Sequence, residues 1–264
     1  MIAPRGMTRF KLTLEYVGTR YRGWQIQKNA RTVAGELHRA VKTVAGREPG
    51  EMYGSGRTDA GVHALHQVAH LDLDTHLAPP QLLWRINEEL PTDINVLALE
   101  PAARRFHARH AAQARSYLYQ IARRRTAFGK PFVWWVKDAL DARAMARAAG
   151  LFEGLHDFQS FTDLDPEDAS TKVKVESVEV REEGALILIR IVGSHFLWKM
   201  VRRMVGVLAE VGRGALHDDD LARLLREPSD AVAPLTAPPS GLFLERVLYD
   251  GDVGPGPLRA VLWL

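Results

Sequence analysis

The stretch GSGRTDAGVH, residues 54–63, places three glycines around an arginine and an aspartate that are separated by one residue, Arg57 and Asp59. It does not match the common phosphate-binding loops. A P-loop needs a lysine directly after its last glycine, and the GxGxxG motif would need its third glycine at position 59 rather than 61. An EF-hand needs several oxygen ligands at alternate positions, and only Asp59 is available here. The P-loop, the dinucleotide-binding loop and the EF-hand are therefore excluded.

Two interpretations of Asp59 remain. Thr-Asp-Ala-Gly is good turn chemistry, which favours a purely structural turn residue. Alternatively, a carboxylate kept ionised by Arg57 or another arginine can act as a nucleophile toward an electron-poor carbon. The glycines would then let a planar substrate approach the backbone closely.

Three histidines follow the loop at helical spacing: His63, His66 and His70. One helix face could present them to zinc, with Asp72 or Asp74 as a further ligand. However, Gly61 and the alternation of QVAHLDLD, residues 67–74, favour a strand, on which the three rings would point in different directions. Ordinary hydrogen-bonded histidines are therefore expected in preference to a metal site.

Outward from the loop, hydrophobic periodicity predicts strands and helices in mixed order. The predicted strands cover residues 10–16, 67–74, 115–123, 172–193 (a hairpin that turns at Glu183-Gly184) and 241–249. The predicted helices cover residues 32–46, 79–90, 141–154 and 195–212, with a short helix near 221–227. This mixture predicts an α+β fold around a largely antiparallel mixed β-sheet that is flanked by helices.

Local signals mark where some of these helices begin and which face they bury. Thr32 and Asp141 have the side chains of N-caps, and prolines open the helix at 79. The helix at 195–212 carries apolar side chains on one face: Phe196, Met200, Val201, Met204, Val205 and Leu208. No low-complexity linker interrupts the chain, so the elements are expected to form one unit with two subdomains.

Composition limits the class of protein. The chain has 264 residues, of which 46% are apolar and 25% charged, as in ordinary soluble proteins. No apolar run approaches the roughly 18–20 residues that cross a bilayer, and the N-terminus lacks the apolar core of a signal peptide. Without cysteine, disulfides, thiolate catalysis and cysteine zinc sites are excluded. A cytoplasmic location is expected.

Charge is distributed unevenly along the chain, although the net charge is only +3. Residues 101–137 contain nine cations and no acidic residue: Arg104, Arg105, Arg109, Arg115, Arg123, Arg124, Arg125, Lys130 and Lys137. Aromatic residues lie between them, which suits a polyanion whose bases can stack. The alternative is an ordinary solvated charged face.

At this point a family resemblance covers nearly the whole chain. GRTDAGVH (56–63) closely resembles the signature of the TruA-type tRNA pseudouridine synthases. Further segments are similar to that family's motifs in the same order: LEYVGTRYRGWQIQ (14–27), FHARHAAQARSYLYQI (106–121), HDFQSF (156–161), FLWKMVRRMVG (196–206) and APPSGLFLERVLY (237–249). Val17, Trp198 and Lys199 depart from the family pattern, in positions that bear on packing and RNA preference.

The resemblance implies a fold and an activity. It implies a pseudouridine-synthase fold with two similar subdomains around a central cleft, 7–104 with the Asp59 loop and 105–264, which together form one catalytic unit. The reaction would convert uridine to pseudouridine at positions 38–40 of the anticodon stem-loop of tRNA. It needs neither a cofactor nor a metal, and the enzyme would be a homodimer without membrane contact.

The resemblance also assigns roles to residues. Asp59 corresponds to the catalytic nucleophile and Arg202 to the arginine that pairs with its carboxylate. Tyr117 corresponds to the tyrosine that stacks on the flipped base, and Arg57 to the arginine that fills the gap in the RNA. Backbone contacts are expected from five arginines of the basic segment: Arg104, Arg109, Arg115, Arg123 and Arg124.

Several alternatives stay open at the level of the sequence. Asp59 could attack C1′ of the ribose, attack C6 of the ring, or deprotonate C2′. A non-catalytic tRNA-binding protein would use the same basic surface, and a zinc-dependent hydrolase would use His63, His66 and His70.

Overall fold

A computed structural model of the chain describes residues 6–167 and 169–262. In chain order its strands and helices are β1 (Thr8–Tyr16), α1 (Val33–Ala45), β2 (Met52–Gly54), β3 (His63–Leu73), α2 (Pro79–Glu89), β4 (Ile94–Pro101), β5 (Ala114–Ala122), β6 (Trp134–Trp135), α3 (Ala142–Ala149), β7 (Gly154–Asp157), β8 (Lys172–Glu183), β9 (Leu186–Gly193), α4 (Met200–Arg213), α5 (Asp218–Arg226) and β10 (Leu242–Leu248). The predicted α+β class is confirmed, and the described helices include none long and apolar enough to span a membrane.

The chain divides into two compact units. The first comprises Met1–Gln113 with Leu244–Gly251, and the second comprises Ala114–Phe243 with Asp252–Leu264.

In the first unit the strand order is β4-β1-β3-β10, and β2 also pairs with β3. The β1 strand runs antiparallel to both β3 and β4, with Leu12 opposite Ala69 and Leu99. Alternate β1 side chains are buried, because one face of the strand lies against the core: Phe10, Leu12, Leu14 and Tyr16. The β3 strand is buried along most of its length, and it begins at His63, four residues before the predicted start.

The helices of the first unit begin where their caps predict. The Thr32 hydroxyl accepts a hydrogen bond from Gly35 N at 3.2 Å, and Gly46 ends α1 in the left-handed conformation with φ 67°. Helix α2 starts at Pro79 and packs against α1 and β4. Both predicted helices are therefore confirmed.

In the second unit the strand order is β5-β9-β8-β7, all paired antiparallel, while β6 runs parallel to the end of β5. The predicted hairpin is confirmed as β8 and β9, with Gly184 between them at φ 58°. The N-cap at Asp141 is also confirmed, since its carboxylate accepts from Arg143 N and Ala144 N at 2.9 and 3.0 Å. Together the two units give the largely antiparallel strand pairing that the sequence predicts.

Two predicted helix boundaries are wrong. Helix α3 ends at Ala149 rather than 154, because the chain tightens into a 3₁₀ turn at Gly150–Phe152 and Gly154 then takes φ 107°. Helix α4 begins at Met200 rather than 195, since Lys199 occupies the left-handed region at φ 62°. Phe196 therefore lies before the helix and not on its apolar face. The strands β2, β4, β6 and β7 were not predicted.

Candidate active site

The loop that carries Asp59 is held by buried hydrogen bonds. Ser55 Oγ donates to Gln67 Oε1 at 2.8 Å, and Gln67 Nε2 donates to Gly56 O at 2.9 Å. The Tyr16 and Thr58 hydroxyls bond each other at 2.7 Å. Gln67 is fully buried, so that its amide has to find its partners within the protein. The network fixes the backbone on the N-terminal side of Asp59.

Two glycines outside the loop bring a second segment against it. A Cβ at Gly18 would lie 1.9 Å from Val62 O, and one at Gly23 would lie 2.5 Å from Thr58 O. Two hydrogen bonds stabilise this contact. Trp24 N donates to Thr58 O at 3.0 Å, and Gly18 N donates to His63 Nδ1 at 3.1 Å. The chain before α1 therefore supports the loop through backbone contacts that a side chain would block.

Two glycines of the loop have roles within the protein itself. A Cβ at Gly54 would meet the Trp24 indole at 2.6 Å, so the planar group that approaches this glycine is the protein's own. Gly61 takes φ 81°, and Val62 N donates to Asp59 O at 3.2 Å, which closes a turn over Asp59–Val62. The turn chemistry is therefore present as the sequence indicates.

On this loop Asp59 is half-buried and Arg57 is exposed. A half-buried carboxylate on a fixed backbone has a defined position while its oxygens remain accessible to a ligand. Such a group can act as a nucleophile or as a general base. Both residues belong to the first unit.

Tyr117 lies on β5 in the second unit, opposite Ile191 of β9. Its side chain is 8% exposed, and its ring meets Phe196 edge to face with centroids 5.2 Å apart. This packing restricts the rotation of the tyrosine ring. An aromatic ring fixed in this way can serve as a platform for a planar base.

Arg202, also in the second unit, lies in the first turn of α4 and is half-buried. Its Nε donates to Ala237 O at 2.7 Å, and Ala237 N donates back to Arg202 O at 3.1 Å. The reciprocal pair orients the guanidinium. Burial raises the pKa of Tyr119 well above its ordinary value, an effect that the positive charge of Arg202 opposes.

The residue after it, Arg203, is buried and belongs to a separate network that reaches the surface at Asp163. It is 3% exposed and forms an ion pair with Asp163, which also accepts from Lys199 Nζ at 2.5 Å. The pKa of the Asp163 carboxyl is lowered by these two cations, the Lys199 hydrogen bond first. Thr162 Oγ1 donates to Trp198 O at 3.0 Å. These contacts fix the turn from which α4 and Arg202 emerge.

Four of the five arginines expected to contact RNA are exposed: Arg104, Arg109, Arg123 and Arg124. Arg109 Nη1 reaches the Tyr53 hydroxyl at 3.5 Å, and Arg123 pairs with Glu182 at 2.8 Å. Arg115 differs, because it is 8% exposed and donates to Ser194 O at 2.7 Å. Its position on a buried strand gives it a packing role that its place in a basic run did not reveal.

The three histidines after the loop are bonded separately. His63 is buried and accepts from Gly18 N, His66 is exposed and lies 3.3 Å from Glu245 O, and His70 is buried and accepts from Ala108 N at 3.1 Å. The neighbouring carboxylates bind arginines instead: Asp72 binds Arg9 at 2.7 Å and Asp74 binds Arg47 at 2.8 Å. The strand thus spreads these histidines over separate hydrogen bonds, as the alternation of the sequence predicts.

Within the described residues, Glu51, His70 and His107 place three ligand atoms within 4.8 Å of one another. His107 Nδ1 accepts from Arg109 N and His110 N at 3.2 and 3.3 Å, as His70 Nδ1 does from Ala108 N. A neutral imidazole that accepts at Nδ1 carries its proton at Nε2. The Nε2 of each of these two histidines then has no lone pair for a cation. The Nε2 of His70 faces Glu51 Oε2 at 3.3 Å.

Sequence reasoning missed the residues that support the Asp59 loop, Gln67, Trp24, Gly18 and Gly23. The glycines and the tryptophan lie in GTRYRGWQ (18–25), a segment whose resemblance to the family motif does not reveal these contacts. Gln67 stands within a predicted strand, and nothing in its neighbours marks it as buried and hydrogen-bonded.

Comparison with known proteins gives consistent matches. A family model described as tRNA pseudouridine synthase matches residues 13–110 and 148–250. A tRNA pseudouridine synthase A of Nitrobacter winogradskyi is 41% identical over 96% of this chain and 99% of its own length. Those of Nitrobacter hamburgensis and Aquifex aeolicus are 42% and 38% identical, each over 92% of this chain and 100% of their own lengths.

Proposed function

This chain belongs to the tRNA pseudouridine synthase family, and we propose that it converts uridine to pseudouridine at positions 38–40 of the anticodon stem-loop of tRNA. Asp59 is the catalytic carboxylate in this proposal. The observation that carries it is the fixed loop at residues 54–62, which holds a half-buried aspartate within the segment that resembles the family signature.

The chemistry agrees with the residues of the site. The reaction breaks the N1–C1′ bond, turns the free uracil and joins C5 to C1′, while C5 loses a proton and N1 gains one. No electrons are transferred to or from another molecule. The reaction therefore needs a nucleophile or base and groups that hold the uracil, but no redox cofactor.

The target base has to leave its stack before it can react, at a cost of a few kcal/mol. Arg57, exposed on the loop, would occupy the vacated space in the RNA. Tyr117, fixed by Phe196, would stack on the extruded uracil, a contact worth roughly 1–3 kcal/mol. Both contacts offset the cost of flipping the nucleotide.

Asp59 would then act on the ribose, either by attack at C1′ or by removal of a proton at C2′, and attack at C6 of the ring is the third route. In each route the carboxylate has to be ionised. The guanidinium of Arg202, oriented by Ala237, would favour the charged form by opposite charge. The proposal requires the two units to act as one catalytic unit, because Asp59 and Arg202 belong to different units.

Binding of tRNA would use the exposed arginines of the basic segment, Arg104, Arg109, Arg123 and Arg124, while Arg115 supports Ser194 from within. Such binding weakens with salt, by about 0.9 in log affinity per neutralised phosphate for each tenfold rise in salt. We also propose that the enzyme is a homodimer that works in the cytoplasm, as the family resemblance implies.

The test is Asp59→Asn, which keeps the size of the side chain and removes its charge. We expect the variant to bind unmodified tRNA with an affinity within about threefold of the wild type, because no RNA-binding cation is lost. We expect pseudouridine formation to fall by about 1,000-fold or more, because the nucleophile is gone. Single-turnover assays on a defined unmodified tRNA, with mapping of the modified position, measure both.

The matched control is Asp219→Asn, an exposed aspartate in the first turn of α5, which should leave turnover unchanged. Substantial activity of Asp59→Asn would remove Asp59 from its role. Tight binding by the wild type without any pseudouridine would favour the alternative, a non-catalytic tRNA-binding protein. Modification outside positions 38–40 would refute the proposed target.

A further inference from the structure

A groove of about 600 Å³ borders the Asp59 loop within the first unit, and its lining contains no residue of the basic segment 101–137. Its lining includes three arginines, Arg20, Arg22 and Arg31, together with Asn29 and the loop residues Ala60 and Gly61. Ala60 directly follows Asp59, so the part of the lining that the loop contributes starts one residue after the aspartate. Adjacent Cα atoms are about 3.8 Å apart, so the groove begins within roughly one nucleotide of the Asp59 backbone.

The groove is strongly cationic. Arg20 and Arg22 are exposed, and neither guanidinium has a hydrogen bond or an ion pair with another of the residues that the structure describes. Two unpaired cations two residues apart repel each other, and an anion placed between them would relieve that repulsion.

Arg31 adds a third and more rigid cation. Its guanidinium lies over the Tyr21 ring at 4.9 Å, and its Nε donates to Glu36 at 2.8 Å. Glu36 is shared with Arg39, so that its single negative charge is divided between two arginines. The groove therefore keeps a net positive charge, and stacking on Tyr21 holds one guanidinium plane in a defined orientation.

Backbone hydrogen bonds fix these arginines relative to the loop. Arg22 N donates to Arg31 O at 2.9 Å, and Gly61 N donates to Tyr21 O at 3.3 Å. Trp24 N donates to Thr58 O on the other side of Asp59. These hydrogen bonds fix the backbone of the groove relative to the backbone of the Asp59 loop.

We propose that this groove binds the phosphodiester backbone of the substrate RNA, at the phosphates next to the target nucleotide. The inference rests on the proposed function, since it takes the substrate to be tRNA. Three arginines in the lining suit phosphate oxygens, which accept paired guanidinium hydrogen bonds. The site positions the strand without reading its sequence, and it is separate from the arginines of residues 101–137.

The test is the double variant Arg20→Gln/Arg22→Gln, which removes two positive charges and keeps polar side chains of similar length. We expect its Kd for unmodified tRNA to rise on the order of tenfold or more at moderate salt. The slope of log Kd against log salt should fall by about 1–2, which is the loss of one or two phosphate contacts. At saturating tRNA the turnover rate should stay within about twofold of the wild type.

The matched control is Arg143→Gln/Arg147→Gln, which removes the same charge from two exposed arginines of α3 in the second unit. Its Kd should stay within about twofold of the wild type. Phosphate-ethylation interference on the same tRNA locates the contacts. In the wild type it should identify phosphates within about two nucleotides of the modified uridine, and the groove variant should lose that interference.

The outcomes separate this inference from the proposed function. If the wild type forms no pseudouridine, the proposed function fails, whereas the Kd and the interference pattern still report on the groove. If the wild type is active and the groove variant keeps its Kd, salt slope and interference pattern, the inference is overturned. A changed oligomeric state of the variant in light scattering would also overturn it, because the groove would then bind a second copy of the chain.

Discussion

At the scale of single residues, the side chains with proposed roles depend on partners that are distant in sequence. Tyr117 is fixed by Phe196, and Arg202 is oriented by Ala237. The loop of Asp59 is held by the fully buried Gln67. None of these partners reacts with RNA in the proposed mechanism. Their contribution is to keep the reactive groups in one geometry, which lowers the cost of ordering them when the substrate binds.

The residue prediction concerns Tyr117. Tyr117→Leu removes the aromatic surface, and we expect turnover of tRNA to fall by about 5- to 150-fold, which corresponds to the loss of a stacking contact worth 1–3 kcal/mol. Tyr117→Phe keeps the ring and serves as the control, so its loss should be much smaller. Single-turnover rates measure the effect, and thermal unfolding of both variants shows whether packing on Phe196 survives. Near-normal turnover of the leucine variant would contradict stacking.

At the scale of elements, two segments with unusual backbone support the functional groups. The segment before α1 approaches the Asp59 loop through Gly18 and Gly23, and the turn before α4 places Lys199 in the left-handed region. A non-glycine residue at positive φ carries a steric cost, and here Lys199 is held by its bond to Asp163. The backbone before α1 and the backbone before α4 thus adopt conformations that local propensity alone does not favour.

The element prediction is Gly18→Ala. Its Cβ would lie 1.9 Å from Val62 O, so that the segment and the loop have to separate. We expect a loss of about 1–3 kcal/mol in the free energy of unfolding of the first unit, together with a lower turnover number, because the loop backbone at Asp59–Val62 shifts. Denaturant unfolding and single-turnover assays measure the two effects. Gly150→Ala is the control, since no atom lies within 4 Å of its Cβ, and unchanged stability of Gly18→Ala would show that the loop does not need this close approach.

At the scale of the whole molecule, the first unit contains a cluster of charged groups and imidazoles that is partly buried. Arg9 binds both Asp72 and Glu51, and His70 is fully buried beside Glu51, with His107 close by. Burial lowers the pKa of His70 below its ordinary value of 6.5, an effect that Glu51 opposes and Arg9 reinforces. The hydrogen bond from Arg9 lowers the pKa of the Asp72 carboxyl.

These shifts make the stability of the first unit depend on pH with a defined sign. Below pH 6.5 the unfolded chain binds a proton at His70 that the folded chain does not, so the free energy of unfolding falls as the pH falls. The slope is at most about 1.4 kcal/mol per pH unit for one histidine. Asp72 adds a further loss at lower pH, as its carboxylate becomes protonated and releases Arg9.

The prediction for the whole molecule follows from His70. Urea unfolding at pH 7.5 and 5.5 should show a lower stability at pH 5.5 in the wild type. His70→Gln should show a smaller difference, because the amide can accept from Ala108 N without titrating. His66→Gln, at an exposed position of the same strand, should retain the wild-type difference. Equal pH dependence of the wild type and His70→Gln would contradict the assignment.

The sequence by itself determined the α+β class, the caps at Thr32 and Asp141, the hairpin at Gly184 and the turn at Asp59. These features follow from periodicity and from hydrogen bonds between near neighbours, which a local pattern records. The ends of α3 and α4, the burial of Arg115 and the supports of the Asp59 loop were decided only by the tertiary structure. The supports of the loop depend on contacts between residues far apart in the chain, such as Gly18 with Val62 or Gln67 with Ser55, and a single sequence does not record which distant atoms will meet.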